Sequence, residues 1–124
     1  MIKGMGIDIT EIARIKKAIG SFNESFVKRV FTEKEQQIAS ARKDFVTFYA
    51  GRWAAKEAVS KALGCGIGEK CSFTEIEILN DDFGKPQAFL SGNAAETFKS
   101  LNAEFLHITI SHEGKNAIAM AIIE

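Results

Sequence analysis

The stretch that decides the fold is residues 48–64, FYAGRWAAKEAVSKALG, whose spacing predicts a single long helix. At 100° per residue, one arc of this helix is almost entirely small and apolar. Its members are Phe48, Ala54, Ala55, Ala58, Val59 and Ala62. The opposite arc carries the charge, and its members are Arg52, Trp53, Lys56, Glu57, Ser60, Lys61 and Gly64. Because small side chains allow close packing, we expect this helix at the centre of the fold. A lone carboxylate among three cations points to a phosphate-rich ligand and a metal.

The composition is typical of a compact domain spanning residues 1–124. The chain is 46% hydrophobic and contains ten phenylalanines, which is enough for an ordinary core. Sixteen basic and sixteen acidic residues cancel, so no overall field attracts nucleic acid. No segment approaches the roughly 20 apolar residues of a membrane span. The two cysteines, Cys65 and Cys71, fit neither a zinc site nor a disulfide framework. We therefore expect a cytoplasmic protein that binds neither nucleic acid nor membranes.

The first half of the chain predicts one strand followed by helices. The stretch 2–9, interrupted by Gly4 and Gly6, is typical of a short buried strand, and Thr10 after it is a preferred N-cap residue. A capping box, Thr32–Glu35, marks the start of a later helix, and Gly64 is a common helix-terminating residue. The helices that we expect are 10–20, 21–30, 32–42 and 44–63.

The second half predicts mainly strands. A helix is expected over 93–103, beginning with the capping box Asn93–Glu96. Turn residues at 80–86 and 113–116 join neighbouring strands as antiparallel hairpins. Strands grouped beside helices indicate an α+β domain, in which an antiparallel sheet packs on the long central helix. The strands that we expect are 73–79, 87–90, 107–111 and 117–123.

Asp8 is the residue that the first strand can bury least easily. It stands between Ile7 and Ile9, and an unpaired carboxylate in the interior is strongly unfavourable. One interpretation is that Asp8 caps the following helix or faces solvent. The other is that it pairs with Glu57, because two carboxylates together with waters and phosphate oxygens are a usual Mg²⁺ site. The ion would neutralise phosphate charge and draw the attacking oxygen towards phosphorus.

The cations of the central helix also have two interpretations. Lys61 lies one turn after Glu57, so it forms either a weak surface salt bridge or a phosphate contact. It could accept a proton if burial or nearby charge lowered its pKa. Arg52 and Lys56 are a like-charge pair at the same spacing, which is mildly destabilising unless an anion binds between them. The anion-binding interpretation is therefore slightly favoured.

Other polar residues give weaker signals. The stretch 14–29 contains five bases and one acid, a net charge of +4 that suits an acidic partner or a solvated face. Ser111 and His112 are adjacent on a strand and would point to opposite faces, which argues against a Ser/His hydrolase. The sequence contains neither G-x-S-x-G nor G-x-x-x-x-G-K-[ST], so a nucleophile elbow and a P-loop are both excluded.

Four motifs together resemble the holo-[acyl-carrier-protein] synthase family, the small bacterial 4′-phosphopantetheinyl transferases. They are GIDITEIARI at 6–15, GRWAAKEAVSKALG at 51–64, FGKP at 83–86 and ISH at 110–112. They occur in the family's order along the whole chain, and Trp53 stands where the family usually has Phe. The resemblance implies a 4′-phosphopantetheinyl transferase-like fold. It also implies transfer of 4′-phosphopantetheine from coenzyme A to a serine of apo acyl carrier protein, with release of adenosine 3′,5′-bisphosphate.

The resemblance also implies roles for individual residues. Asp8 and Glu57 would hold Mg²⁺, and Lys61 would contact the pyrophosphate and assist removal of the serine proton. The further coenzyme A contacts would be Arg52, Lys56, Gly64, Lys85, Pro86, His107, Ser111 and His112. The carrier protein would meet Arg14, Lys17, Lys28 and Arg29. The resemblance implies a homotrimer as well, with sites at subunit interfaces.

Two alternatives stay open at this point. A non-catalytic module that binds coenzyme A or a carrier protein would keep the basic patch and the pocket, but it would not need both Asp8 and Glu57. A Mg²⁺-dependent phosphohydrolase would use water as the acceptor and would need no carrier protein. The residues also leave open whether the general base is Lys61 or a water held by Asp8 or Glu57.

Overall fold

The computed structural model describes the backbone of residues 1–124 and all side chains except those of residues 22 and 23. One strand followed by three helices makes up the first half of the chain, and strands dominate the second half. The elements are β1 (Gly4–Glu11), α1 (Ile12–Val30), α2 (Glu33–Ser40), α3 (Phe45–Ala62), β2 (Ile76–Asn80), β3 (Pro86–Leu90), α4 (Gly92–Ser100), β4 (Leu106–Glu113) and β5 (Asn116–Ile123). A 3₁₀ turn, Phe73–Glu75, precedes β2.

Two antiparallel sheets pack around α3. The larger has the strand order β1-β5-β4, and the smaller is the hairpin of β2 and β3. One face of the larger sheet lies against α3 and is buried; its residues on β5 are Ala117, Ala119, Ala121 and Ile123. The other face carries exposed apolar side chains, which are Met5, Ile7, Ile9, Ile118 and Met120. We call these five residues the outer sheet face. The predicted α+β architecture, an antiparallel sheet on a long central helix, is confirmed.

Glycines allow α3 to approach β1 very closely. A Cβ atom on Gly6 would lie 1.9 Å from the carbonyl oxygen of Ala58, and one on Gly4 would lie 2.0 Å from that of Ala62. Ala58 and Ala62 are themselves buried, so small residues face small residues at this crossing. The predicted close packing of the alanine arc is therefore confirmed, and it joins backbone to backbone.

Two predictions at the start of the chain are wrong. Thr10 is not a helix cap, because β1 continues to Glu11 and the Thr10 hydroxyl donates to Asp8 Oδ2 at 2.7 Å. The helices predicted over 10–20 and 21–30 are a single helix, α1, which runs through Gly20. The cost of a helical glycine is only about 1 kcal/mol. Burial of Ile15 and Phe26 on one face of α1 outweighs it.

The remaining boundaries differ by local detail. The strand predicted from residue 73 begins as the 3₁₀ turn, and α4 starts at Gly92 and ends at Ser100. The predicted capping box at Asn93 does not form, because Asn93 donates its side-chain amide to the Glu69 carbonyl instead. The box at Thr32–Glu35 is confirmed, with both of its hydrogen bonds present. Among the described residues, no helix combines the length and apolar character needed to cross a membrane.

Candidate active site

Asp8 and Lys61 meet where α3 crosses β1. The Lys61 Nζ lies 3.2 Å from Asp8 Oδ1 and donates to the Ile7 carbonyl at 3.0 Å. The Asp8 side chain is 15% exposed, whereas that of Lys61 is 50% exposed. Asp8 therefore neither caps a helix nor faces bulk solvent. Its second oxygen is occupied by the hydroxyl of Thr10, which fixes the orientation of the carboxylate.

Glu57 completes a cluster of two carboxylates and one cation. Burial raises the pKa of Glu57, the negative charge of Asp8 raises it further, and the positive charge of Lys61 opposes both effects. The charge of Asp8 thus acts on Glu57 from across the α3–β1 crossing. Such a pair is unfavourable on its own and becomes favourable when a cation binds between its members.

The chemistry of the cluster fits Mg²⁺ better than a transition metal. Among the described side chains, no group of three or more His, Cys, Asp or Glu residues is arranged to hold a metal. The protein would therefore contribute two carboxylates, Asp8 and Glu57. Mg²⁺ is commonly bound through one or two carboxylates, with water and substrate phosphate oxygens filling its other positions.

A polar cavity of about 190 Å³ lies at the N-terminal half of α3. Three of the residues expected to bind coenzyme A, Arg52, Pro86 and His112, line this cavity together. Arg52 donates to the side-chain oxygen of Asn80 at 3.1 Å, and its guanidinium carbon lies 4.3 Å from the centre of the Phe48 ring. The guanidinium is therefore held in place by a neutral amide and an aromatic ring.

Arg52 is a buried cation with spare hydrogen-bonding capacity. It is 6% exposed, and burial lowers its pKa, an effect that the charge of Glu35 opposes. Among the side chains that the structure describes, its Nε is buried without a hydrogen-bond partner. An unsatisfied charged donor in the interior is costly, and an anion in the cavity would offset the cost of burying this cation.

Three residues of this cavity were missed by sequence reasoning. Arg42 and Asp44 form a two-point ion pair, with a shortest distance of 2.8 Å, and both line the cavity. Asn80 reaches the same cavity from the end of β2. Arg42 and Asp44 lie in the turn before α3 and Asn80 lies at the end of β2, so only the tertiary fold brings the two segments together at Arg52. The turn composition of 80–86 was the one signal that pointed near them.

Other predicted coenzyme A contacts lie elsewhere. Lys85 and His107 line a second groove, of about 340 Å³, between β3 and β4, and Pro86 borders both cavities. His107 lies 3.0 Å from a carboxylate oxygen of Glu124. Ser111 is on the opposite face of β4 from Ile110 and His112, which line the Arg52 cavity. Gly64 adopts a positive φ of 85° just beyond α3, three residues after Lys61.

Lys56 does not lie at the site, which corrects the prediction that it binds coenzyme A. It is fully buried, and its ammonium lies 2.7 Å from Glu35 Oε1. The charged arc of α3 is thus not a solvent-facing surface, because Arg52, Lys56 and Ser60 are all buried. The segments 30–35 and 73–78 cover this side of the helix. The charged residues on this arc of α3 were therefore not a sign that it faces solvent.

The predicted carrier-protein residues form an exposed stripe on α1. At 100° per residue, they fall within an arc of about 120°. The opposite side of the helix buries Ile15, Phe26 and Val30. Lys28 makes one exposed ion pair, with Glu24 at 3.7 Å. We call this surface the basic stripe, and its members are Arg14, Lys17, Lys28 and Arg29.

The comparisons with known proteins define the class to which this site belongs. The family model described as "4'-phosphopantetheinyl transferase superfamily" matches residues 4–121. The chain belongs to this family, and it is a phosphopantetheinyl transferase.

Relatives of the same length carry a more specific name. A holo-[acyl-carrier-protein] synthase of Clostridium tetani is 49% identical over 100% of this chain and 97% of the relative. One of Vibrio cholerae is 44% identical, over 100% of this chain and 98% of the relative. The resemblance seen in the motifs is thereby confirmed.

Solved structures of such synthases share the fold. The enzyme of Neisseria meningitidis superposes with a TM-score of 0.94 at 31% identity, covering 100% of this chain and 99% of the other. A synthase of Bacillus anthracis in complex with CoA (3',5'-ADP) has a TM-score of 0.84 at 41% identity, covering 99% of this chain and 96% of the other. One of Helicobacter pylori, in complex with coenzyme A, has a TM-score of 0.86 at 35% identity, with 97% of this chain and 99% of the other covered.

Proposed function

We propose that this protein transfers 4′-phosphopantetheine from coenzyme A to a serine of apo acyl carrier protein in a Mg²⁺-dependent reaction. The second product would be adenosine 3′,5′-bisphosphate. The observation that carries this proposal is the convergence of Asp8, Glu57 and Lys61 at the α3–β1 crossing. The relatives named above support the proposal, because their sequences match this chain over its full length.

Asp8 and Glu57 would hold the ion. Burial raises the pKa of Glu57, and the charge of Asp8 raises it further, so a cation between the two carboxylates would be favourable. A bound Mg²⁺ would supply neutralisation of the pyrophosphate charge of coenzyme A. Thr10 would keep Asp8 oriented through its 2.7 Å hydrogen bond. A module that only bound coenzyme A would have no need for this arrangement of two carboxylates.

Lys61 would contact the pyrophosphate. Two of its three ammonium protons point to Asp8 and to the Ile7 carbonyl, which leaves one for a phosphate oxygen. The half-exposed side chain is accessible to a ligand from solvent. The proton of the attacking serine would pass either to a water held by Asp8 or Glu57, or to Lys61 once its ammonium has given up a proton.

The Arg52 cavity would receive a phosphate group of coenzyme A. At about 190 Å³ it is smaller than the roughly 300–1,000 Å³ of pockets that enclose whole small ligands. It would therefore take one part of the substrate. Arg42 and Arg52 against Asp44 leave the cavity lining with a net positive charge, and the guanidinium of Arg52 would donate to a phosphate oxygen.

A homotrimer would complete the pocket. The outer sheet face presents Met5, Ile7, Ile9 and Met120 to solvent, and a contiguous apolar surface of this kind favours burial against another chain. Lys85 and His107 line a groove separate from the Arg52 cavity. In the trimer they would line the coenzyme A pocket of a neighbouring protomer. A light-scattering mass equal to one chain would contradict this part of the proposal.

The basic stripe would bind the carrier protein. Its four cations are exposed on one side of α1, and opposite charge on the partner would steer the encounter. A cytoplasmic location is part of the proposal as well. It is supported by Cys65 and Cys71, which are free thiols of the kind that a reducing compartment maintains.

The decisive experiment is a mass measurement on the carrier protein. The purified protein is incubated with coenzyme A, Mg²⁺ and an apo acyl carrier protein, and we expect the carrier to gain the mass of phosphopantetheine. The Glu57→Gln variant serves as the matched control and should give no modified carrier. Cleavage of coenzyme A without any carrier would instead favour a phosphohydrolase. Binding of coenzyme A with no product of either kind would favour the non-catalytic module.

A further inference from the structure

A fully buried ion pair lies directly behind the metal-binding turn of α3. Lys56 donates to Glu35 Oε1 at 2.7 Å, to the Val30 carbonyl at 2.6 Å and to the Phe73 carbonyl at 3.0 Å. Both charged side chains are 0% exposed. All three protons of the ammonium are thus used inside the protein, and none is left for a substrate.

Glu35 is satisfied just as completely. Its Oε1 also accepts the backbone N–H of Thr32 at 2.8 Å, and its Oε2 accepts that of Ile78 at 2.8 Å. Burial lowers the pKa of Lys56, and the charge of Glu35 opposes this effect. The pair therefore ties α3 to the end of α1, the start of α2, the 3₁₀ turn and β2.

Stability alone does not account for this pair. Removing two charges from water is costly, and apolar residues of similar volume often stabilise a protein as well as a buried ion pair does. Unlike apolar residues, a buried ion pair fixes the orientation of both side chains, because its hydrogen bonds require a defined geometry. The neighbour of Lys56 on the helix is Glu57, whose direction matters most for metal binding.

The pair and the glycine contact hold α3 from opposite sides. Lys56 lies roughly 160° around the helix from Ala58, the residue that touches Gly6 of β1. The Gly6 contact sets how close α3 comes to β1. The Lys56 anchor sets the rotation of the helix about its axis, and consecutive residues on a helix are a fixed 100° apart. Fixing Lys56 therefore fixes the direction in which Glu57 leaves the helix.

We propose that Lys56 and Glu35 are positioning residues that aim Glu57 at Asp8. This inference rests on the proposed function, in which Glu57 is a metal ligand. The pair touches neither the metal nor the substrate, and it acts only through the orientation of α3. Its loss should weaken metal binding more than coenzyme A binding.

The test uses Mn²⁺ as a paramagnetic substitute for Mg²⁺. The Glu35→Gln/Lys56→Met double variant removes both buried charges together and so leaves no unpaired one. We expect the Kd for Mn²⁺, measured in the presence of coenzyme A from the EPR signal of the free ion, to rise about 10-fold. The KM for coenzyme A should change less than twofold. Circular dichroism checks that the variant is folded.

Two reference variants make the outcome decisive. Ile123→Val perturbs the buried core on β5 without touching the pair, and its Mn²⁺ affinity should equal that of the wild type. Glu57→Gln should weaken Mn²⁺ binding most of all. If Glu57→Gln weakens it and the double variant does not, the positioning role is refuted while the metal site stands. If Glu57→Gln has no effect, the metal site of the proposed function fails, and with it the positioning role.

A second variant covers the case in which the Glu35→Gln/Lys56→Met protein does not fold. Glu35→Gln/Lys56→Gln keeps hydrogen-bonding groups in the same space and leaves no buried charge unpaired. We expect it to fold and to raise the Mn²⁺ Kd by a smaller factor than the Glu35→Gln/Lys56→Met variant. An unchanged Kd in the folded protein would overturn the inference.

Discussion

The ammonium of Lys61 reaches from α3 to β1 and lies 3.2 Å from Oδ1 of Asp8. In the absence of a metal, Lys61 is thus the cation that neutralises Asp8. A divalent ion between Asp8 and Glu57 would take over this task, and the half-exposed lysine would become available to a phosphate group. In the proposed mechanism, the same side chain would pair with Asp8 in the free protein and contact the substrate in the complex.

Removing either carboxylate should abolish metal-dependent activity. We expect Asp8→Asn and Glu57→Gln each to lower the rate of carrier modification by about 100-fold or more, because a two-carboxylate site keeps too few protein ligands after either change. Carrier mass after a fixed time gives the rate, and circular dichroism shows that the fold is retained. Normal rates in both variants would refute the metal assignment.

Replacing Arg52 should weaken coenzyme A binding specifically. A hydrogen bond between charged groups contributes about 1.5–3 kcal/mol, so Arg52→Met should raise the KM for coenzyme A by roughly 10- to 100-fold. Arg52→Lys should rescue little, since lysine lacks the planar group that lies over Phe48 and reaches Asn80. Steady-state kinetics at saturating carrier protein measure the change. An unaltered KM would exclude Arg52 from the coenzyme A site.

Metal-free stability should fall as pH rises through the titration of Glu57. Its pKa is raised above the ordinary value of 4.5, first by burial and then by Asp8. The folded state therefore holds this proton more tightly than the unfolded state, and the free energy of unfolding decreases between pH 4.5 and the raised pKa. Urea unfolding across this range should show a smaller decrease in Glu57→Gln. Parallel curves for the two proteins would contradict the prediction.

Charge reversal on the basic stripe should weaken carrier binding alone. Arg14→Glu and Lys17→Glu should each raise the KM for carrier protein several-fold, with an effect that diminishes at high salt. Lys16→Glu is the matched control, because it changes the net charge equally on an exposed site roughly 200° around α1 from Arg14. Equal effects of Lys16 and Arg14 substitutions would mean that overall charge, and not the stripe, governs binding.

Gly6 should tolerate no side chain. In Gly6→Ala the new Cβ would lie 1.9 Å from the Ala58 carbonyl oxygen and 2.8 Å from the Ala62 nitrogen, both of them backbone atoms. We expect a loss of about 3 kcal/mol or more in the free energy of unfolding. Gly20→Ala, with open space around a helical position, should instead stabilise the protein by about 0.5–1 kcal/mol. Chemical denaturation of both variants tests the contrast.

The sequence predicted the central helix and the elements around it because their signals are local. The small arc of α3 and the turn at 80–86 need no knowledge of the rest of the fold. Asp8 could be singled out by chemistry, since a carboxylate in an apolar strand demands a partner. The structure supplied that partner in Lys61.

What the sequence could not predict depends on which segments cover which surfaces. Periodicity placed Lys56 on a charged arc but could not show that Glu35 and the Phe73 carbonyl would enclose it. Arg42 and Asn80 join Arg52 only because separate segments meet at one cavity. Gly20 was predicted to end a helix, but packing of α1 against α3 outweighs the low helix propensity of glycine. In each case a tertiary contact overrode a local preference.

Strand β1 separates the proposed metal site, on its inner side, from the proposed subunit interface, on its outer side. Its inner side presents Asp8 to α3, and its outer side presents Ile7 and Ile9 to the surroundings. Because Gly4 and Gly6 join this strand to α3 backbone to backbone, no flexible side chain lies between them to absorb a displacement. A second subunit packed against Ile7 and Ile9 would therefore contact the strand that carries Asp8. Through that strand it would affect the distance between the proposed metal-binding carboxylates. The proposed assembly and the proposed metal site would in this way be coupled through a single strand.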